Sequence, residues 1–143
     1  MNVNAILSKK GASVVTIEPT ATLGDAARRL AEHRIGALVV TGAEGRVVGI
    51  LSERDVVRAI AGGGAAAMQT PLTEAMTRKV VTCKGSDTIT SLMEQMTDGK
   101  FRHLPVVDGD RLAGIISIGD VVKYRLWELE QEQNALRDYI QTA

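Results

Sequence analysis

The apolar and polar positions of this chain run through one order twice. Val14 to Ile17 is a short β-type run, and Val80 to Cys83 is a second. After the first, Thr22 stands as a helix N-cap, with Leu23, Ala26, Ala27 and Leu30 at helical spacing. After the second, Thr88 leads Ile89, Leu92, Met93 and Met96 in the same way. Two short apolar runs follow in each half. They are Ala37 to Val40 and Val47 to Leu51, then Leu104 to Val107 and Leu112 to Ile116. Turn-like connectors, 41–45 and 108–110, join them. A further helix then starts at Ser52 or Ser117, so each unit reads β-α-β-β-α.

The repetition holds residue by residue. Residues 14–40 align with 80–106 at a constant offset of 66, bringing Val14-Val15-Thr16 onto Val80-Val81-Thr82. One residue is then lost and the offset becomes 65. Gly49-Ile50-Leu51-Ser52 aligns with Gly114-Ile115-Ile116-Ser117, and Asp55-Val56-Val57 with Asp120-Val121-Val122. The lead-ins Ile6-Leu7-Ser8 and Ala75-Met76-Thr77 also correspond. A unit of roughly 60 residues buries too little surface to be comfortably stable alone. The expected fold is therefore α/β (α+β), with two repeats covering each other's sheets about a pseudo-twofold axis. The expected division is 1–64 for the first repeat with its lead-in, 65–126 for the second with the linker, and 127–143 for a helical tail. Gly62 to Ala67 reads as a flexible linker that lets the second copy swing round. Such packing leaves two related clefts between the copies, a favoured place for ligands.

Composition narrows the function classes. The chain has 143 residues, with 17 basic and 17 acidic side chains. A net charge of zero argues against holding nucleic acid by phosphate neutralisation. Aromatics make up 3%, too few for base-stacking platforms. One cysteine and two histidines exclude an internal disulfide and make a zinc enzyme a poor fit. The N-terminal residues lack a signal-type apolar core. The longest uncharged stretch, 59–73, is rich in glycine and contains Pro71. A reducing, cytoplasmic setting without membrane or nucleic acid is expected.

The clefts hold the candidate chemistry. Gly114 to Asp120 and Gly49 to Asp55 each run from a buried strand into a helix through a serine. Serine at the N-cap with an acid at N3 is a capping box, which explains these residues without a ligand. A helix N-terminus also suits phosphate. Ser117 adds a hydroxyl donor, Asp120 can accept from a vicinal diol such as a ribose, and Gly119 beside Ile118 allows close backbone approach. Arg102 and His103 precede an apolar strand in which Pro105 suggests an edge or starting position. Without a ligand, Arg102 is a solvated charge and His103 a partly buried histidine paired with backbone.

The double β-α-β-β-α repeat, both Gly-h-h-Ser-x-x-Asp motifs (h, apolar) and Arg102-His103-Leu104-Pro105-Val106-Val107 together resemble the CBS-domain pair, or Bateman module. The likeness spans residues 3–126 and is nearest to small stand-alone bacterial members. It implies binding of an adenine nucleotide: AMP first, or ADP, ATP or an adenosine cofactor such as NAD(H). By the resemblance, Asp120 takes the ribose, while Ser117, Arg102 and His103 meet phosphate. Adenine then lodges near Val15, Thr16, Ile35 and Gly36, and Lys10 matches a further nucleotide-contacting position. The first repeat has Gly36 and Ala37 where the second has Arg102 and His103. A second cleft at Ser52, Arg54, Asp55 and Val81 is therefore expected to lack the phosphate clamp and bind weakly.

Residues 121–143 read as one long helix with Leu126, Leu129, Leu136 and Ile140 on a stripe that Gln133 interrupts. It either folds back on its own module or meets a partner, and the resemblance implies a homodimer. Tyr124 and Trp127 either cover apolar surface there or touch the second half of a dinucleotide. Three functions follow. The favoured one is a nucleotide-sensing regulatory module acting on an unidentified enzyme or transporter. An enzyme is disfavoured, since no Walker-type loop, metal cluster or paired carboxylates facing a nucleophile are present. The last is a structural or dimerisation module with vestigial clefts, which Arg102, His103, Ser117 and Asp120 together weigh against.

Overall fold

A computed structural model describes residues 1–142. The first repeat comprises β1 (Thr16–Ile17), α2 (Leu23–His33), β2 (Ala37–Thr41), β3 (Val47–Ser52) and α3 (Glu53–Gly63). The second comprises α4 (Ile89–Gly99), β4 (His103–Asp108), β5 (Arg111–Ser117) and α5 (Ile118–Thr142). A helix, α1 (Val3–Lys10), precedes them both. The expected mixed α/β repeat is thus present in both halves, as five α-helices and two small sheets among the described residues.

Local chemistry sets the helix starts. Thr22 accepts from the Asp25 N–H, and Asp25 accepts in return from the Thr22 N–H, closing a capping box. Thr88 accepts from the Ser91 N–H. Ser52 with Asp55 caps α3 by the same reciprocal bonds.

The sheets differ between the copies. In the first repeat β1 pairs parallel with β2, joining Thr16 to Val39 and Ile17 to Val40, and β2 pairs antiparallel with β3. The opening run is thus shorter than the expected 14–17. In the second repeat, among the described residues, only β4 and β5 form a ladder, and the opening strand shrinks to a single parallel bridge, Cys83 to Val106. Pro105 supplies the reason. It aligns with Val39, and a proline has no N–H to donate to the neighbouring chain. Its carbonyl still accepts from the Cys83 N–H at 2.9 Å.

The cores are closed by exchange. Val3 and Ile6 of α1 are buried with Leu92, Leu104, Ile116 and Tyr124 of the second repeat. Leu72 and Ala67, from the segment between the repeats, are buried with Leu23, Leu38 and Leu51 of the first. Backbone bonds repeat the exchange: Asn4 N–H to Gly85 O, and Leu72 N–H to Ala21 O. The motif glycines make it possible. A Cβ on Gly114 would lie 2.8 Å from Leu7, and one on Gly49 would overlap Met76, which aligns with Leu7. The supposed flexible linker is ordered. α3 continues to Gly63, a 3-10 stretch runs from Gly64 to Gln69, and Ala67 is buried against α2. Alanines favour helical backbone, and burial of Ala67 fixes it.

Ile6→Ala should destabilise the chain by about 2–5 kcal/mol in urea titration. It should also lower amide-exchange protection in α4, β4 and β5 before α2. Loss confined to the first repeat would contradict the exchanged packing.

Candidate functional site

The two strand starts meet where the repeats abut. A Cβ on Gly36 would sit 3.3 Å from His103 Cε1, so the small residue of one copy makes room for the imidazole of the other. Each strand start is tied to the partner helix of its own repeat. The first N–H of α3, on Glu53, donates to Gly36 O at 2.9 Å, and the first N–H of α5, on Ile118, donates to Arg102 O at 2.8 Å. Both helix N-termini therefore converge on the junction.

A cavity of about 640 Å³ opens there. The first repeat contributes Gly36, Ser52, Arg54 and Asp55 to its wall. The second contributes Val81, Arg102, His103, Ser117, Ile118 and Gly119. One cavity thus gathers all the residues expected of the second cleft and half of those expected of the first. The phosphate-clamp candidates Arg102 and His103 share a wall with Asp55, because both strand starts lie at the axis. The expected absence of these residues from the Asp55 side does not follow from the observed geometry.

The remaining expected residues lie elsewhere. Val15 and Ile35 pack on the first core, Thr16 stands in β1 with its carbonyl accepting from Arg29, and Pro105 is buried in β4. Asp120 does not line the cavity. Its carboxylate accepts from Lys10 Nζ at 2.6 Å and from the Ser117 N–H at 2.9 Å. The same Lys10 Nζ donates to Ile115 O at 2.9 Å. In the other half Thr77 exchanges two backbone hydrogen bonds with Ile50, which aligns with Ile115. The lysine side chain therefore meets Ile115 where the other lead-in uses its main chain. Three basic wall residues were not anticipated: Arg58, Lys79 and Lys100. The lead-in correspondence could have found Lys79, since it aligns with Lys10.

Burial pushes His103 below the ordinary histidine value, helped by Lys10 and Arg102, while Asp120 and Glu53 act the other way. For Asp120, burial raises the carboxyl, but hydrogen bonds from Lys10 and Ser117 outweigh it and hold the group below the usual carboxylate range. Burial first, then the nearby Asp87, pushes the Cys83 thiol up to about 12, so it is no nucleophile at neutral pH. Among the described residues no group of three His, Cys, Asp or Glu could hold a metal. Among the same residues no helix is long and apolar enough to cross a membrane.

The CBS-domain family model matches residues 3–62 and 72–126. The chain belongs to the CBS-domain family. A mitochondrial CBS domain-containing protein of Arabidopsis thaliana is 36% identical over 84% of this chain and 60% of its own length. An uncharacterised 17.7 kDa protein of Acidianus ambivalens is 34% identical over 77% of this chain. The CBS pair thus spans under two thirds of these relatives, 60% and 66% of their lengths. Among solved structures, a CBS-domain protein from Agrobacterium tumefaciens is 54% identical, with a TM-score of 0.84, covering 87% of this chain and 99% of that one. A CBS protein from Pyrobaculum aerophilum complexed with AMP is 28% identical, with a TM-score of 0.76, covering 84% and 89%. A CBS pair complexed with 5′-methylthioadenosine and S-adenosyl-L-methionine is 25% identical, with a TM-score of 0.80, covering 90% and 98%.

Because the folded pKa of His103 is lowered, the unfolded chain takes up that proton first as pH falls. Stability contributed by the neutral imidazole should therefore decline from about pH 6.5 downward. His103→Gln should flatten the stability profile between neutrality and pH 5.5 in urea titrations. An unchanged slope would contradict a half-buried His103 held below the ordinary histidine value. The Asp120 contribution should vanish only at lower pH, as its carboxylate protonates.

Proposed function

We propose that this CBS pair is a non-catalytic regulatory module that binds an adenine nucleotide, AMP foremost, in the cavity between its repeats. The observation that carries the reading is the convergence of two helix N-termini and Arg102 on one cavity beside the carboxylate of Asp55. Helix N-termini and guanidinium groups suit phosphate, and an acceptor-only carboxylate suits a ribose diol. Solved CBS pairs complexed with AMP and with methylthioadenosine and S-adenosylmethionine support an adenosine-bearing ligand. ADP, ATP and NAD(H) share the recognised half.

In this reading the ribose lies first on Asp55, which faces the cavity, with phosphate on Arg102 and His103. The Asp120 half, with Ser117 and the surface near Val15, Thr16 and Ile35, is the second position. It becomes available when Lys10 leaves Asp120 and turns to the nucleotide. The module works as a homodimer in the cytoplasm, and ligand that favours one relative angle of the repeats biases the enzyme or transporter that reads it. Only differential affinity for the two states can drive that response.

A calorimetric and thermal-shift series with AMP, ADP, ATP, NAD+, NADH and S-adenosylmethionine tests this. A ligand at 100 times its dissociation constant should add about 2.7 kcal/mol of stability. Arg102→Ala should weaken AMP roughly tenfold to a hundredfold while changing adenosine little. Asp55→Asn should cost more affinity than Asp120→Asn. No stabilisation by any of the six, or wild-type AMP binding by Arg102→Ala, would refute the reading.

A further inference from the structure

Val122, Leu126, Leu129, Gln133, Leu136 and Ile140 of α5 alternate at spacings of four and three residues. That is a heptad seam with one polar layer, with Leu126, Gln133 and Ile140 at a positions and the others at d. The seam is bare: Leu126 is 56% exposed, Leu136 61% and Ile140 65%. The opposite face is covered only over the first turns of the same helix. Val121 and Tyr124 are buried in the second core, and Lys9 Nζ lies 3.8 Å over the Trp127 ring. Tyr124 and Trp127 therefore pack against their own module. From residue 129 to 142 every position is exposed. Fourteen helical residues without a packed face are marginal in water.

We propose that the seam is covered by the same seam of a second copy, running parallel and in register. Charge decides the partner and the direction. In a parallel pair each g residue faces the e residue of the next heptad. Here that sets Glu132 against the partner's Arg137, and Arg125 against the partner's Glu130, opposite signs at both levels. Within its own helix Arg125 also contacts Glu128 at 3.1 Å, which leaves Glu132 with Arg137 as the cleaner pair. Gln133 meets its own copy at a central a layer, where paired amides hold the register. A fully overlapped antiparallel pair would set Glu130 on the partner's Glu130 and Glu132 on the partner's Glu132. It would also place Lys123 near the partner's Arg137. Sliding that pair by one heptad restores opposite signs but leaves two of the six seam layers without a partner.

The inference rests on the dimeric reading above and makes it specific. It is tested on the full chain by oxidative crosslinking of Gln133→Cys, with Gln131→Cys on the outer face as control and light scattering for mass. Native Cys83 is buried and does not interfere. In a parallel seam the two cysteines at 133 lie within disulfide reach. Gln133→Cys should crosslink to a covalent dimer, and Gln131→Cys should give several-fold less. Adding Glu132→Lys to Gln133→Cys should cut the yield several-fold, and adding Arg137→Glu as well should restore it. A dimer by mass that fails to crosslink at 133, or that crosslinks only in a Gln133→Cys plus Leu129→Cys mixture, overturns the parallel seam while leaving the dimeric reading in place. A monomer at micromolar concentration overturns both, and AMP binding by that monomer would still leave the nucleotide reading intact.

Discussion

Neither half of this chain can close its own core, and the rest of the structure depends on that constraint. Each repeat is finished by the other's lead-in: Val3 and Ile6 complete the second core, while Leu72 with Ala75 and Met76 completes the first. Burial of such side chains is worth roughly 1.5–3 kcal/mol each, so separating the halves would expose a row of them. The exchange also fixes geometry. With both lead-ins crossed, the starts of β2 and β4 are brought together, and Gly36 leaves room for the His103 imidazole. The cavity follows from a packing requirement that concerns stability before it concerns ligand.

The near-symmetry of the halves is broken in three places, and each break has a local cause. Pro105 removes a ladder donor and reduces the second opening strand to a bridge. Helical backbone in α1 delivers Lys10 onto Asp120, whereas the extended backbone at Thr77 pairs with Ile50 and leaves Lys79 on the cavity wall. Gly36 stands where the second copy has Arg102, so the two strand starts share one set of polar side chains. The two related halves thereby present one open cavity and one carboxylate already paired with a lysine of the chain itself.

Features that arise within a few residues were legible in the sequence. The repeat, the four strands after the first helices and the caps at Thr22, Thr88, Ser52 and Ser117 follow from periodicity and from side chains that bond their own backbone. The opening strand of the second repeat was overestimated, because Val80 to Cys83 has β-type residues but its neighbour has a proline. The stretch Gly62 to Ala67 looked mobile because composition cannot show that Ala67 meets a helix. Ten of the sixteen candidate residues line one cavity, but how they are arranged there was not legible. Lys10 and Asp120 are 110 positions apart, and the junction of Gly36 with His103 joins two repeats, so nothing local announces either contact.

The central claim is that one crevice, built by the crossing of the lead-ins, receives an adenylate with its phosphate on the basic wall. A crystal structure of the chain grown with AMP tests it most directly. The account predicts phosphate oxygens within hydrogen-bond distance of Arg102 and the ribose hydroxyls on Asp55. Adenylate bound on another face of the molecule, or a crevice left vacant at saturating AMP, would contradict it.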